Sequence, residues 1–449
     1  MSKNKVPIVA IVGRANVGKS SIFNAILGYR EAIVAREAGA TRDSIMAKAN
    51  YASKDFWLVD TAGMKDAEDE FEFTIQEQIA QATDSADIIM VVVEANIPVN
   101  EEDRRIAKMA LKSKKQVFLI VNKSDKNRRL SIDDYRKLGI KQIHATSTTQ
   151  NKGIEQFLDE LADNLPQVTI KTDPNRIKVA ILGRPNVGKS QLFNALSKKQ
   201  QAIVADRAGT TRDINRNMVK FNKQEIELLD TAGIRRSGKI EVGIEKFSVI
   251  RSLSAIEEAD ICLLLMDVNE LGTQLDQKIA GLVKEAGKGL ILVVSKWDVV
   301  KDKDAYTRDL LAPQIQQEFI FVPWAPLIFT SSITGQNVTK IFELVSEIHH
   351  NRQQKISTSV LNRWLRAVVD EHPPAGLKNT HPRLNYITQT DEETPNFKVF
   401  GSQTKFLHWS YKRYLERRLR EQFGFEGTPI KMWFIPKNVD RHTEKDKEV

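Results

Sequence analysis

The sequence predicts an α/β fold that is built twice in tandem and followed by a smaller α+β domain. The motif that begins at Gly13 returns at Gly183, and two later motifs return at the same offset of 170 residues. Strand-like apolar runs alternate with amphipathic segments in both copies, which is typical of a doubly wound, mostly parallel sheet. We expect a first domain over 1–165, a linker over 166–176, a second domain over 177–350, a C-terminal domain over 351–436 and a charged tail over 437–449.

Hydrophobic periodicity predicts the individual elements of each copy. In the first copy the predicted strands are 8–12, 56–59, 88–93 and 117–121, and the predicted helices are 22–27, 101–112 and 154–165. In the second copy the predicted strands are 179–182, 226–229, 261–266 and 290–294. A polar stretch at 351–355 marks the second boundary.

The composition is that of a globular chain: 449 residues, 41% hydrophobic and 28% charged. No apolar run approaches the roughly 20 residues of a membrane helix, and the first residues lack a signal-peptide pattern. We therefore expect a cytoplasmic protein. The single cysteine, Cys262, lies inside an apolar run and is predicted to be a packing residue.

The net charge is +9 and the isoelectric point is near 9.3, which favours an anionic partner. From residue 351 onward there are 18 Lys and Arg against 12 Asp and Glu. This segment is either a nucleic-acid-binding region or a solvated basic face.

Each copy carries a phosphate-binding loop between a strand and a helix. The loops are Gly13, Arg14, Ala15, Asn16, Val17, Gly18, Lys19, Ser20 and Gly183, Arg184, Pro185, Asn186, Val187, Gly188, Lys189, Ser190. The glycines let backbone N–H groups surround the phosphates, the lysine reaches the outer phosphates, and the serine binds Mg²⁺.

An aspartate that ends a later strand is predicted to hold the Mg²⁺ shell, and the glycine after it to meet the terminal phosphate. These motifs are Asp60, Thr61, Ala62, Gly63 and Asp230, Thr231, Ala232, Gly233. Thr41 and Thr211 lie in polar loops and are predicted to bind Mg²⁺ only when the terminal phosphate orders the loop, as a switch.

A third motif selects the base. The two copies are Asn122, Lys123, Ser124, Asp125 and Ser295, Lys296, Trp297, Asp298. A carboxylate accepts from both the ring N–H and the amino group of guanine, so the aspartates predict GTP rather than ATP. Ser295 lacks the carboxamide of Asn122. Ser147 and Ser331 begin loops that are expected to place a backbone N–H on the guanine carbonyl.

The residues that hydrolyse GTP are less evident, because Met64 and Ile234 follow the two Gly residues and neither can orient water. The loop lysines, the switch threonines and Gly63 and Gly233 are the catalytic candidates. Four arginines are either arginine fingers or structural ion-pairing residues: Arg14, Arg42, Arg184 and Arg212. The side-chain oxygens of Asn16 and Asn186 are predicted to share K⁺ with the phosphates, the alternative being a turn-stabilising role.

These motifs resemble the EngA (Der) family of bacterial double GTPases. The resemblance extends over nearly the whole chain and includes the C-terminal runs Ser359–Asn362, Ser410–Leu415 and Gly424–Ile430. It implies a C-terminal KH-like domain, K⁺ activation, and GTP-dependent binding to the large (50S) ribosomal subunit and its rRNA during maturation. Ser295 and Ala15 depart from the family pattern of Asn and Pro.

The C-terminal domain interleaves aromatic and basic residues, which predicts either RNA binding or a small core with a charged exterior. Its only Gly-x-x-Gly sequence, Gly424–Gly427, follows a predicted helix over 411–423 and precedes a predicted strand over 430–435, so we interpret it as a helix C-cap. Five basic residues of that helix are the predicted phosphate ligands: Lys412, Arg413, Arg417, Arg418 and Arg420.

Two other functions fit parts of the sequence. A metabolic phosphotransferase would also carry phosphate loops, but no acceptor site is evident and Asp125 and Asp298 favour guanine. A membrane-remodelling GTPase would need an amphipathic or lipidated anchor, which the sequence does not show. We expect a monomer that does not bind DNA or membranes.

Overall fold

The computed structural model describes residues 2–29, 33–34, 46–60, 86–127, 131–166, 168–171, 176–199, 215–230, 252–301, 303–304, 306–374, 376, 380–392 and 394–436. Several predicted residues lie outside the described residues: Thr41, Arg42, Thr61, Ala62, Gly63, Thr211, Arg212, Thr231, Ala232 and Gly233. The chain divides into two compact units, 1–174 with 236–258, and 175–235 with 259–449.

The first unit contains a seven-stranded, mostly parallel sheet, as predicted. Its elements are β1 Ser2–Lys5, β2 Ile8–Val12, α1 Lys19–Gly28, β3 Ile33–Val34, β4 Met46–Tyr51, β5 Lys54–Asp60, β6 Ile88–Glu94, α2 Glu101–Lys112, β7 Gln116–Asn122, β8 Gln142–Ala145, α3 Ile154–Asn164 and β9 Val168–Lys171. The strand order is β3-β4-β5-β2-β6-β7-β8, parallel from β5 to β8. The hairpin β4–β5 adds an antiparallel edge.

The second unit repeats this design in a six-stranded sheet. Its elements are β10 Arg176–Gly183, α4 Lys189–Lys199, β11 Asn215–Phe221, β12 Gln224–Asp230, β13 Ile261–Asp267, α5 Gln274–Glu285, β14 Gly289–Ser295, α6 Thr307–Glu318, β15 Leu327–Phe329 and α7 Val338–Gln353. The order is β11-β12-β10-β13-β14-β15, and only the pair β11–β12 is antiparallel. The central strands β13 and β14 are buried on both faces, which explains their continuous apolar runs.

The helix boundaries follow from local chemistry. Asn100 caps α2, and the Asp103 side chain accepts from the Asn100 backbone N–H in return. Thr273 and Asp276 form the same capping box at the start of α5. Cys262 is fully buried in β13, which confirms its packing role.

The predicted linker over 166–176 contains a strand. Val168–Lys171 pairs antiparallel with Ser2–Lys5, forming a separate two-stranded sheet. Val168, Thr169 and Ile170 are β-branched and favour an extended backbone, a preference that the neighbouring prolines obscured at the sequence level.

The C-terminal domain is α+β, with elements α8 Thr358–Glu371, β16 Arg383–Gln389, β17 Asn396–Ser402, α9 Trp409–Phe423 and β18 Lys431–Pro436. Its sheet has the order β16-β17-β18, with β16 antiparallel and β18 parallel to β17. Leu361 and Leu365 of α8 and Leu415 of α9 pack with Phe397 and Val399 on one face of this sheet. Among the aromatic residues of this domain, Trp364, Phe397 and Tyr411 are buried in this core, whereas Tyr386, Trp409 and Trp433 are exposed.

Candidate nucleotide-binding sites

The predicted motifs meet at one edge of each large sheet. The strands β2, β5, β6 and β7 are parallel neighbours, so their carboxyl ends lie together. The phosphate loop follows β2, Asp60 ends β5 and Asn122 ends β7. The crevice at the carboxyl ends of a doubly wound sheet is where such folds bind ligands.

The phosphate loops need glycine for steric reasons. Gly13 has φ 157° and Gly183 φ 138°, and a Cβ on either would lie 2.5 Å from a backbone oxygen, of Val92 or Leu265 respectively. Gly18 has φ 96° and is the N-cap of α1. The loop backbone therefore turns tightly into the helix N-terminus, where unpaired N–H groups and the helix dipole favour an anion.

The loop lysines point back across their own loops. The Lys19 ammonium donates to the carbonyl of Gly13 at 2.7 Å and to that of Arg14. Lys189 donates to Gly183 at 2.8 Å and to Arg184 at 2.5 Å. Burial lowers the pKa of Lys189 to about 8, against the opposing effect of Asp230 and Asp276. A phosphate anion placed on this loop would stabilise the charged form of the lysine.

The oxygen donors of the first site fit Mg²⁺. The Ser20 hydroxyl donates to the Asp60 carboxylate at 2.5 Å, so the two predicted ligands are adjacent. Mg²⁺ prefers hard oxygen ligands of this kind and completes its shell with phosphate oxygens and water. In the second copy Ser190 lies in the first turn of α4, and Asp230 ends β12 and is buried.

At the base end of each site a serine hydroxyl holds the specificity aspartate. Ser147 donates to Asp125 at 2.6 Å, and Ser331 donates to Asp298 at 2.5 Å. The Ser147 hydrogen bond is the main cause that lowers the pKa of the Asp125 carboxyl. The backbone N–H of Ser147 donates to the carbonyl of Lys152 at 3.0 Å, and that its loop places a backbone N–H on the guanine carbonyl stays a prediction.

The two sites differ where Asn122 is replaced by Ser295. The Asn122 side-chain amide donates to the Val17 carbonyl at 3.1 Å. A Cβ on Gly18 would lie 2.3 Å from the amide nitrogen of Asn122. The Ser295 hydroxyl lies 2.7 Å from the Val187 carbonyl and 3.0 Å from that of Met266. Serine thus keeps the link to the phosphate loop, but its single proton serves one carbonyl at a time and it has no amide oxygen.

Replacing Ser295 by Asn is expected to tighten GDP binding at the second site about fivefold, the effect of about one additional hydrogen bond. Lys19→Ala removes the phosphate-loop lysine of the first site, so calorimetry in this background measures GDP binding at the second site alone. The reciprocal Asn122→Ser, in a Lys189→Ala background, serves as the matched control and should weaken the first site. An unchanged affinity for Ser295→Asn would contradict the prediction.

The lysine of the first base motif contacts the phosphate loop of its own site, whereas the lysine of the second pairs with the end of β13. Lys123 donates to the Asn16 carbonyl at 2.9 Å and pairs with Glu94 at 3.0 Å. Lys296 pairs with Asp267 at 2.6 Å. The adjacent Trp297 is buried. In the first site Lys123 therefore connects the base motif directly to the phosphate loop.

The arginines of both phosphate loops form ion pairs. The Arg14 guanidinium donates to Asp103 at 2.7 Å. Arg184 lies 3.3 Å from Asp276 and 2.8 Å from Glu270. Ion pairing is thus observed for both residues, and the arginine-finger role stays an untested alternative.

The partners of these arginines, Asp103 and Asp276, were not predicted from the sequence as site residues. Asp103 is 1% exposed and Asp276 is 0% exposed. Each is the third residue of a capped helix, so the Asn100-x-x-Asp103 and Thr273-x-x-Asp276 spacing is the signal that could have found them.

Asn16 and Asn186 both have φ 63°, a left-handed conformation that Asn tolerates better than most residues. Both side chains are exposed at the mouth of the loop. This geometry is compatible with the turn-stabilising role and with the predicted K⁺ contact.

The basic residues of α9 do not form a single free patch. Arg418 makes two hydrogen bonds to Glu371, at 2.8 and 2.7 Å. Arg420 binds Glu416 and the carbonyls of Phe425 and Thr428. Arg418 and Arg420 therefore have partners within the domain, whereas Lys412, Arg413 and Arg417 are exposed. Gly424 has φ 82° and ends α9, as the sequence predicted.

Two doubly wound sheets, each with a phosphate loop and an aspartate in the predicted base motif, are the architecture of a tandem P-loop GTPase. A family model described as 50S ribosome-binding GTPase matches residues 8–123 and 178–296, and one for the C-terminal KH-domain-like region of EngA bacterial GTPases matches 355–434. The chain belongs to the Der (EngA) family of GTPases.

The relatives are similar over almost their entire length. GTPase Der of Herpetosiphon aurantiacus is 42% identical over 438 residues, which cover 95% of this chain and 96% of the relative. GTPase Der of Caldanaerobacter subterraneus is 41% identical over 427 residues, covering 94% and 97%. Within the described residues, no helix is long and apolar enough to cross a membrane.

Proposed function

We propose that this chain is a GTP-hydrolysing switch in maturation of the large (50S) ribosomal subunit. Two Mg²⁺–GTP sites would control the domain arrangement and rRNA binding. The observation that carries the proposal is the presence, in both copies, of a phosphate-loop lysine and of an aspartate in the predicted base motif. The match to a family model described as a 50S ribosome-binding GTPase supports the ribosomal assignment.

In this proposal, some residues of each site bind the nucleotide and others hold the Mg²⁺ that stabilises the phosphate charge. The loop N–H groups with Lys19 or Lys189 would bind the phosphates, and Asp125 or Asp298 the base. Mg²⁺, when bound between Ser20 and Asp60 or between Ser190 and Asp230, would neutralise phosphate charge. Thr41 and Thr211, with Gly63 and Gly233, would sense the terminal phosphate and so link hydrolysis to a conformational change.

The test is co-sedimentation of the full chain with purified large subunits, in GDP and in a non-hydrolysable GTP analogue. We expect the chain to pellet with large subunits in the analogue and less in GDP. Small subunits provide the control. Equal pelleting with both subunits in both nucleotides would overturn the proposal. A GTPase assay without any acceptor separates this function from a phosphotransferase.

GTP hydrolysis is expected to be several-fold faster in K⁺ than in Na⁺ of equal concentration. K⁺ held between the Asn16 or Asn186 side chain and the phosphates would add positive charge where negative charge develops. Phosphate release is measured in both salts for the wild type, Asn16→Ala and Asn186→Ala. Equal wild-type rates in the two salts would remove the K⁺ hypothesis.

We also propose that the chain acts in the cytoplasm as a monomer, without binding DNA or membranes. The predicted domain boundaries at 165, 177 and 351 are part of the same proposal. Sedimentation velocity of the full chain would test the monomer, and a dimer at micromolar concentration would contradict it.

A further inference from the structure

The Gly424–Gly427 loop of the C-terminal domain is occupied by structural contacts. The Gly427 N–H donates to the Trp324 carbonyl at 2.7 Å, and its carbonyl accepts from the Leu290 N–H at 2.9 Å. A Cβ on Gly427 would lie 2.1 Å from Ile348. Phe425, inside the loop, is fully buried. A nucleic acid that binds this domain must therefore use a different surface.

The three-stranded sheet offers such a surface. The helices α8 and α9 cover one face, and the residues that alternate with the core residues form the other. We call this other face the open sheet face and define it by Tyr386, Lys398, Phe400, Trp433 and Ile435. The strand register places them in two rows: Tyr386, Phe400 and Ile435 are neighbours, and Lys398 lies beside Trp433.

The aromatic rings of this face are accessible. Tyr386 is 44% exposed and Trp433 is 51% exposed. The rings of Tyr386 and Phe400 lie 5.9 Å apart at an interplanar angle of 50°. Single exposed rings are common at protein surfaces, but a contiguous patch of aromatic side chains marks an interaction site.

The charge of the face favours an anion. The strands β16, β17 and β18 contain Arg383, Lys398 and Lys431 and no Asp or Glu. Of the acidic residues in the β16–β17 loop, the two that the structure describes have partners within the domain: Asp391 pairs with Lys355 at 3.3 Å, and Glu392 accepts from the Asn396 amide.

Exposed aromatic rings with intervening cations suit single-stranded nucleic acid. Bases stack on aromatic side chains while lysine contacts the phosphates, and open sheets with aromatic residues bind RNA in this way. Two residues along a strand advance about 6.6 Å, a distance comparable to the spacing of successive nucleotides. An aliphatic protein partner would be matched less well, because Ile435 is the only aliphatic side chain of the open sheet face.

We propose that single-stranded RNA binds the open sheet face, with bases stacked on Tyr386 and Trp433 and a phosphate on Lys398. This inference rests on the proposed function, since it names the surface through which the ribosomal switch would bind rRNA. Lys398 lies directly across from Trp433, so one nucleotide can contact both side chains.

The test is fluorescence anisotropy of a labelled 12-nucleotide single-stranded uridine RNA with the full chain. Trp433→Leu and Tyr386→Leu are each expected to weaken binding about tenfold, as for the loss of one stacked base. Lys398→Gln should reduce the slope of log affinity against log salt by about 0.7. The matched control is Trp409→Leu, because Trp409 is 54% exposed in the same domain but lies on α9. Its affinity should be unchanged.

The outcomes separate this inference from the proposed function. Failure of the wild type to bind the RNA, or loss of binding in Trp409→Leu but not in Trp433→Leu, would overturn the inference alone. A Trp433→Leu variant that binds RNA normally but no longer pellets with large subunits would assign the face to a ribosomal protein instead. A wild type that binds RNA through this face but ignores both subunits would overturn the proposed function and leave the inference intact. Unchanged GTPase rates in the variants check that the fold is preserved.

Discussion

Asp125→Asn and Asp298→Asn are each expected to lower the affinity of their own site for GDP and GTP by at least about 100-fold. Guanine presents two donors, the ring N–H and the amino group, and a carboxylate accepts both. The Asn amide turns a donor toward one of them, and an unpaired polar group at a specific site is strongly penalised. Because Ser147 and Ser331 hold the aspartates in place, the substitution changes chemistry with little change in position.

The same variants should gain affinity for xanthosine nucleotides, since xanthine has a carbonyl where guanine has its amino group. Calorimetry with GDP and xanthosine diphosphate, in a background that inactivates the other site, measures both changes. Asp133→Asn and Asp309→Asn are matched controls, because both aspartates are exposed in the same two domains. Full GDP affinity in Asp125→Asn and Asp298→Asn, without uptake of the xanthosine nucleotide, would refute the assignment of the base site.

Arg184→Ala is expected to destabilise the second nucleotide-binding domain by about 3 kcal/mol, because it leaves the buried Asp276 carboxylate without its cation. The phosphate loop should also lose its anchor to α5, so that GDP binding weakens. Urea unfolding is monitored by hydrogen-exchange mass spectrometry. The exchange of α5 peptides reports the unfolding of this domain separately from the rest of the chain. Arg14→Ala is the equivalent change in the first domain.

The double variant Arg184→Ala/Asp276→Ala should recover part of this loss, because no buried charge is then left unpaired. A double variant that loses the sum of both single effects would contradict an ion pair. The loss of folding stability in Arg184→Ala should also depend on pH. Burial raises the pKa of the Asp276 carboxyl. Removing Arg184 raises this pKa further.

The folded state of the Arg184→Ala variant therefore holds the proton of the Asp276 carboxyl more tightly than the unfolded state does. Stability then falls as the pH rises through the interval between the two pKa values. The stability deficit of Arg184→Ala is accordingly expected to shrink as the pH is lowered from neutrality toward the raised pKa of the Asp276 carboxyl. A deficit that is constant over this range would argue against a carboxylate as its cause.

Local sequence patterns predicted most of the fold. The predicted strand 8–12 and helix 101–112 have the observed bounds, and the helix predicted over 411–423 begins two residues earlier, at Trp409. Fully buried parallel strands are continuous apolar runs, and amphipathic helices repeat every 3.6 residues, so both can be recognised without a partner. The strand Val168–Lys171 could not, because its partner Ser2–Lys5 lies far away in sequence.

The sequence by itself determined the duplication, the phosphate loops, the guanine preference and the family, because each depends on residue types at fixed short spacings. Only the tertiary structure decided what the side chains contact across long separations. It paired Arg14 with Asp103, linked Ser295 to the Val187 carbonyl, and fixed Gly427 against Trp324. These contacts join residues that lie 89 to 108 positions apart in the sequence, and no local pattern encodes them. The accessible rings of Tyr386 and Trp433 became apparent for the same reason, since strand register decides which face a side chain occupies.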